Sequence, residues 1–378
     1  MELFSYDEIK SAFDSLLQGK LRNKRKSYAL EYVGHKVNGE NVSLLPVGTD
    51  GITTIHVLKD ENSLNNFLKE IYRLTNECYP GTDVPRIEVK KYKIKEIAID
   101  ETKSRTIVIP CLRDQVVVRC ILNKLNQLIL VDEENRPNQK IDVLTRKIRN
   151  SILAKPGKKM LRSDISNFYP SVNVDKLLDM LTLTHGNLLD DRLLQLIRKI
   201  LVNNKSAGLY NGLPVGVGFC VLLANYYVSQ MKLSLNFPGI ELVRYEDDLL
   251  FIMDKEVDES MVLKKLDQIF SQFSLKRNVE KTEVMDALAE FKFLGVYFNK
   301  GFVSTGEEKI KQWKTRVNED IRRQFKEIDM VKILYPDLAL PSNKDLVNII
   351  WRAHKTGERS KVFKHANTIR KINEEKIS

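Results

Sequence analysis

Leu242-Val243-Arg244-Tyr245-Glu246-Asp247-Asp248-Leu249-Leu250-Phe251-Ile252 sets two apolar, strand-length runs around three consecutive acids. Runs rich in strand-favouring residues, separated by a tight polar break, predict a β-hairpin. That hairpin carries Asp247 and Asp248 at its tip. Adjacent carboxylates repel, and holding them together costs stability unless cations sit between them. Hard divalent ions such as magnesium, bound by carboxylate and phosphate oxygens, are the natural occupants. Taken alone, the stretch also reads as a plain surface turn, since Asp is common in turns.

A second carboxylate decides between these readings. Lys159-Met160-Leu161-Arg162-Ser163-Asp164-Ile165 is a short apolar approach ending in Asp164, and an aromatic, Tyr169, stands five residues after Asp164. A strand ending in Asp164, paired beside the hairpin, brings three carboxylates to one place. Two-metal nucleotidyl transfer needs such a set, with ions roughly 3.5–4 Å apart that stabilise the attacking and leaving oxygens.

With both segments in view, the chain resembles the reverse transcriptases. Their palm carries an Asp-x-x-x-x-aromatic segment, here Asp164 to Tyr169, and a Tyr-x-Asp-Asp hairpin, here Tyr245 to Asp248. The resemblance covers about residues 100–300 and rests on an ordered series of motifs. Lys103-Ser104-Arg105, the strand to Ile109, Pro110 and the segment from Asp114 resemble the fingers of group II intron and other bacterial members. The family's basic strand residues hold the incoming triphosphate, which implies that role for Lys103 and Arg105. A triphosphate needs cations to neutralise and position it. Gln115 stands where the family usually has Arg.

Leu213-Pro214-Val215-Gly216 matches the family's Leu-Pro-x-Gly loop, and Asn225 matches a recurrent Asn in the helix that follows. Glycine lets the backbone approach the nascent base pair closely, so Gly216 and Asn225 join the implied nucleotide pocket. Val215 and Phe219-Cys220 depart from the intron-type and retroviral pattern toward the abortive-infection and defence-associated bacterial groups. Asn278 stands three residues before Lys281-Thr282, as in the family's next segment. A lysine there can protonate the pyrophosphate leaving group. Phe293-Leu294-Gly295 matches the primer-grip hairpin.

Composition bounds this reading. The 378 residues are 43% hydrophobic and 29% charged, the balance of a soluble globular protein. There is no run of 18 apolar residues and no secretory signal at Met1 to Asp7, so a cytoplasmic protein without membrane contact is expected. Cys78, Cys111, Cys120 and Cys220 form no C-x-x-C pair and suit a reducing compartment. A net charge of +11 and a pI near 9.2 suggest a polyanionic partner.

The rest of the chain is read more coarsely. Residues 5–30 read as a helix running into the basic stretch Lys20 to Lys26, a solvated face or a phosphate contact. Residues 31–58 read as short strands, Ser63 as the cap of a helix from Leu64 to Glu77, and Ile87 to Ile99 as an edge strand. Helices are expected over 115–153 with a break near Pro137, over Asp175–Leu183, Asp190–Val202, Val221–Leu235 and Asp258–Phe273, and over 304–328, 342–356 and 358–375. Residues 301–378 hold 17 Lys or Arg against 11 Asp or Glu, which suits a helical thumb over a duplex. Trp351, Arg352 and His354 offer groups for nucleic acid there, although packing explains the Trp as well.

The expected fold is α+β: a right-hand polymerase with an antiparallel palm sheet, helical fingers and a small helical thumb. The expected domains are an N-terminal extension with outer fingers (1–100), fingers (101–160), palm (161–300) and thumb (301–378). What the resemblance implies is an RNA-directed DNA polymerase. Asp164 and Asp247, with Asp248 as a lesser ligand and the Ile165 carbonyl, would hold two Mg²⁺ ions, Mn²⁺ substituting. Tyr169 would stand as the steric gate against a 2′-hydroxyl. The partners implied are an RNA template or dedicated non-coding RNA, the DNA product and dNTPs; a homo-oligomer or a second defence protein stays open. No integrase, nuclease or maturase motif follows residue 300, which together with the loop departures suggests phage defence. Two alternatives stand beside this: a template-independent or protein-primed deoxynucleotide polymerase, and an RNA-binding module with an inert palm.

Overall fold

The structure, a computed structural model, describes residues 2–23, 61–89, 93–98, 104–129, 141–154, 157–206, 212–232, 239–306, parts of 311–329, 342–356 and 361–375. In chain order the elements are α1 (Tyr6–Asn23), α2 (Glu61–Asn76), β1 (Lys93–Ala98), β2 (Ser104–Ile109), α3 (Leu112–Leu128), α4 (Ile141–Ala154) and β3 (Lys159–Asp164). A single turn α5 (Phe168–Ser171), then α6 (Val174–His185), α7 (Asp191–Ser206) and α8 (Gly218–Lys232) follow. Next come β4 (Ile240–Tyr245), β5 (Asp248–Met253), α9 (Glu259–Gln272), β6 (Glu283–Asp286), β7 (Phe291–Phe293), β8 (Val296–Asn299) and β9 (Phe302–Thr305). Helices α10 (Asn343–Thr356) and α11 (Lys361–Glu374) complete the series. The class is α+β, as expected for a right-hand polymerase.

The described residues fall into two compact units. The first draws on the described residues within 2–23, 61–129 and 160–284. Its centre is a four-stranded sheet in the order β4-β5-β3-β6, with β4 and β5 an antiparallel hairpin. Every residue of β5 from Leu249 to Met253 is buried, the continuous apolar run of a strand covered on both faces. Helix α8 is buried nearly all round, which is why it shows no polar stripe. α1 packs on α2 and α3, and α3 packs on α8. Phe219, Tyr227, Phe251 and Phe270 are among the largest side chains of this core, each at most 1% exposed. Burying each contributes roughly 1.5–3 kcal/mol.

Local signals account for several helices. Asp258 caps α9 by accepting from the Ser260 N–H at 2.9 Å. Val262, Leu266, Ile269 and Phe270 then fall on one buried face at helical spacing. Asn173 caps α6 through the Lys176 N–H at 3.0 Å.

The second unit draws on the described residues within 140–159 and 285–375. Here β7-β8-β9 form a three-stranded antiparallel sheet, with α11 packed on β9 and on α4. Both of its hairpin turns place two consecutive residues at positive φ, Leu294-Gly295 and Lys300-Gly301, as type I′ turns do. Phe291 stacks on Phe298 across the β7–β8 pair, with ring centroids 4.7 Å apart. Asn373 of α11 accepts from the Val303 N–H at 2.9 Å and donates to the Val303 carbonyl at 2.7 Å. Buried Arg149 donates to the Asn373 and Glu375 carbonyls, both at 3.4 Å.

Some expectations need correction. Helix α2 is described from Glu61, so the expected cap Ser63 lies within its first turn, beside the acidic Glu61 that suits a helix N-terminus. The strand expected from Ile87 is described only over Lys93–Ala98. Ser304 and Thr305, expected as helix, pair with β8 instead, while the described residues between 311 and 329 are helical. Lys103, the expected strands of 31–58, the loop around Pro137 and the side chains of Lys20 to Lys26 and His354 lie outside the described residues. Trp351 is half-buried and Arg352 exposed. No described helix is long and apolar enough to cross a membrane.

Candidate active site

The β4–β5 hairpin closes with Tyr245 opposite Asp248, so Glu246 and Asp247 alone form the turn. Asp248 is therefore the first residue of β5 rather than part of the tip. Glu246 sits at φ 53°, a left-handed conformation uncommon for a residue with a Cβ. Asp164 ends β3, the strand beside β5, and is 6% exposed.

The chain from Lys276 to Glu283 runs along the other side of β3. The Ser166 N–H donates to the Lys276 carbonyl at 2.9 Å, and the Asn278 N–H to the Asp164 carbonyl at 2.8 Å. These bonds flank the Ile165–Arg277 bridge and make it a non-hydrogen-bonded pair. The Ile165 carbonyl thus faces away from Arg277, toward the side of β3 where β5 lies. After Asn278 the chain turns, with the Lys281 N–H on Asn278 Oδ1 at 3.3 Å. That turn delivers Lys281 Nζ to Asp164 Oδ2 at 2.6 Å, and Asn278 Nδ2 reaches the same oxygen at 3.2 Å. Lys281 is half-exposed, so the pair is a weak contributor to stability and a stronger one to placement.

The electrostatics follow from this crowding. Burial, then the neighbouring Asp164, Asp248 and Glu246 carboxylates, push Asp247 from 3.8 up to about 6. Burial also raises Asp248, against Arg162 and Lys281, which favour its charge. Glu246 is raised by burial and held back by Arg105. Tyr169 is raised strongly, by burial first and by Glu246 and Asp247 next.

Such mutually repelling carboxylates suit a hard divalent cation. Among the described residues no three His, Cys, Asp or Glu side chains converge as a ready-made metal cluster. The three carboxylates expected from the sequence to meet in one place are thus not gathered as a metal-binding group among the described residues.

Above the carboxylates the backbone is tied together. Tyr169, half-buried in α5, accepts the Leu213 N–H on its carbonyl at 2.8 Å. The Val108 N–H of β2 donates to Val215 at 2.8 Å. Gly216 lies at φ 108°, and a Cβ there would stand 2.2 Å from the Val108 carbonyl oxygen. Gly216→Ala should therefore lower stability by about 1–3 kcal/mol, the usual range for overpacking, read as an earlier midpoint in urea. Arg105 is exposed on β2, opposite Ile97 of β1.

Asn225 is 4% exposed, within α8, and its Oδ1 accepts from Arg244 at 3.4 Å. Phe293, Leu294 and Gly295 form the β7–β8 turn of the second unit, with Phe293 buried. Four residues with evident parts here were missed as site residues: Glu246, Asn278, Arg162 and Arg244. Asn278 was legible from its spacing to Lys281. Arg244 was legible as a lone charge inside an apolar strand.

Residues 89–298 match the family model described as reverse transcriptase (RNA-dependent DNA polymerase). No curated protein matches the chain. Among solved structures it is similar to apo telomerase from Candida tropicalis truncated from its C-terminal domain, at 19% identity over 57% of this chain and 55% of that one, with a TM-score of 0.43. It is also similar to telomerase from Candida albicans in complex with a TWJ fragment of telomeric RNA, at 14% identity over 82% and 65%, with a TM-score of 0.44. Apo telomerase from Candida tropicalis aligns at 17% identity over 85% and 66%, again with a TM-score of 0.44. The chain spans between 55% and 66% of the length of these structures.

Proposed function

The chain belongs to the reverse transcriptase (RNA-dependent DNA polymerase) family, and on that premise we propose that it is an RNA-directed DNA polymerase acting through two-metal nucleotidyl transfer. The observation that carries the reading is that Asp164, at the end of β3, lies beside β5, whose first residue is Asp248 and whose hairpin turn carries Asp247. Asp164 and Asp247 would hold two Mg²⁺ ions, or Mn²⁺ in their place, with Asp248 and the Ile165 carbonyl as lesser ligands. Bound ions stabilise the charge on the attacking and leaving oxygens.

The chain's own residues do the rest. Lys103 and Arg105 neutralise and orient the triphosphate. Gly216 lets its loop pack closely on β2 and presents that backbone to the new base pair. Lys281, already beside Asp164, gives a proton to the pyrophosphate leaving group. The attacking group is a 3′-hydroxyl, or a hydroxyl of the protein itself if it primes its own synthesis. Phe293, Leu294 and Gly295 would grip the primer. The test is incorporation of labelled dNTPs on defined RNA templates, with the copurifying nucleic acid sequenced to identify the natural template.

Tyr169 is the proposed gate. Its ring packs edge-on against Phe168, 5.5 Å between centroids, which leaves it little freedom to yield to a 2′-hydroxyl. Tyr169→Ala should admit ribonucleotides, at a cost in discrimination of about 10–100-fold, as expected when one steric contact of roughly 1–3 kcal/mol is lost. Single-nucleotide assays with dATP and ATP measure it; unchanged discrimination rejects the gate.

The finer part of the proposal is the biological role. Val215 and Phe219-Cys220 depart from intron-type and retroviral enzymes toward defence-associated bacterial groups. We place the DNA synthesis in antiphage defence, in a bacterial cytoplasm and with a structured non-coding RNA as partner. Cells expressing the protein with its native flanking sequence should plaque fewer phages than cells expressing Asp247→Ala. Equal plaquing across a panel would sink the defence role and leave the polymerase reading standing.

A further inference from the structure

Arg244 and Asn225 are both nearly sealed from solvent, at 6% and 4% exposed. At that exposure Asn225 presents almost no surface to a nucleotide. Its Nδ2 donates to the Val221 carbonyl one turn back in α8, at 2.9 Å. That bond turns Oδ1 toward Arg244, whose Nη1 donates to it at 3.4 Å. The same nitrogen donates to the Glu246 carbonyl at 3.1 Å.

We infer that Arg244 and Asn225 are a positioning pair: they clamp the left-handed Glu246 backbone to helix α8 and so set where Asp247 stands. A residue with a Cβ at Glu246's φ of 53° carries strain on the order of 1–3 kcal/mol, and such a conformation persists only where its surroundings hold it. The guanidinium on the Glu246 carbonyl is that hold. Burial costs the arginine, and its pKa falls to about 10. A buried charge held on the Glu246 and Asn225 oxygens is a poor way to gain stability, and a good way to fix one geometry.

The pair also reaches beyond the hairpin. The loop entering α8 is bonded to β2 through Val108–Val215 and to Tyr169 through Leu213. Helix α8 then leads rigidly to Asn225. The strand proposed to carry the triphosphate and the turn carrying Asp247 are thus joined by one path, in which the Val108–Val215 bond and the Asn225–Arg244 contact are non-covalent links.

This inference rests on the polymerase reading, since the placement of Asp247 matters only if it serves the reaction. The experiment is steady-state dNTP incorporation by Asn225→Leu, Arg244→Gln, their double variant and Asn225→Asp, each checked for folding by circular dichroism. A displaced catalytic group costs up to about 10²-fold. We expect each single variant to lose about 10–100-fold in kcat, with KM for dNTP within about twofold, because neither residue touches the substrate. The double variant should be no slower than the slower single one, as for two halves of one contact. Asn225→Asp keeps an oxygen facing the guanidinium and should recover most of the lost rate. If Asn225→Leu does not fold, Asn225→Ser replaces it in the same comparison.

A raised KM with unchanged kcat would make Asn225 a nucleotide contact and overturn the inference. So would losses that multiply in the double variant. A wild-type protein inactive on every template and primer sinks the polymerase reading and the inference together. An active wild type with the KM pattern sinks the inference alone.

Discussion

Asp247→Ala should abolish nucleotide incorporation while leaving the protein folded. A lost metal ligand removes several kcal/mol of charge stabilisation, which at about 1.4 kcal/mol per tenfold is on the order of 10³-fold or more in rate. Incorporation near the wild-type rate would show that the carboxylates have been assigned the wrong task.

The same residue gives a stability signature with the opposite sign. Burial and neighbouring carboxylates raise Asp247 from 3.8 to about 6 in the folded chain. The folded chain therefore holds this proton more tightly than the unfolded one. Its contribution is fully present below about pH 4 and is lost as pH rises through about 6. In chelator at pH 7.5, Asp247→Asn should melt at a higher temperature than wild type, and the gap should close toward pH 4. Added Mg²⁺ should raise the wild-type midpoint and leave the variant's unmoved. A variant that melts lower at pH 7.5 would count against the crowding of charge around the turn.

Affinity for RNA should fall roughly 10³–10⁵-fold between about 50 and 200 mM salt if six to ten phosphates are neutralised on binding. The basis is the net charge of +11, of which residues 301–378 carry +6 (17 basic against 11 acidic). Each neutralised phosphate releases condensed counterions, so the slope of log affinity against log salt counts the contacts. A dedicated structured RNA should keep an advantage over unrelated RNA at every salt concentration, because shape and exposed bases are read without counterion release. Filter binding across a salt series measures both terms. A flat salt response would remove RNA backbone contacts as the purpose of the basic charge.

Much of this was legible in the residues because the signals were local. The two apolar runs around Glu246 to Asp248 read as a hairpin or a plain surface turn, and the strand ending in Asp164, announced by its apolar approach, decided for the hairpin. Asp258 and the spacing from Val262 to Phe270 set α9 almost to the residue. What stayed hidden depends on contacts between distant segments. Nothing in Arg244's neighbours in sequence shows that its guanidinium meets Asn225, nineteen positions away. The meeting of Lys281 with Asp164 needs a turn whose bonds involve Asn278 and Val279. The left-handed backbone of Glu246 runs against its side chain's own preference, so no propensity argument reaches it. The start of α2 was misread, since Ser63, taken as its cap, lies inside the first turn that begins at Glu61.

Asn373 has a consequence of another kind. β9 is the outermost strand of its sheet, and the Val303 N–H and carbonyl point off its free side. The Asn373 side chain takes both groups, as a neighbouring strand would. An unpaired edge is a template on which another chain can add a strand and begin to aggregate. By blocking that edge at its middle with one amide, α11 acts as a guard against self-association. Chains cut short before Asn373, by proteolysis or a premature stop, would present the sheet to one another.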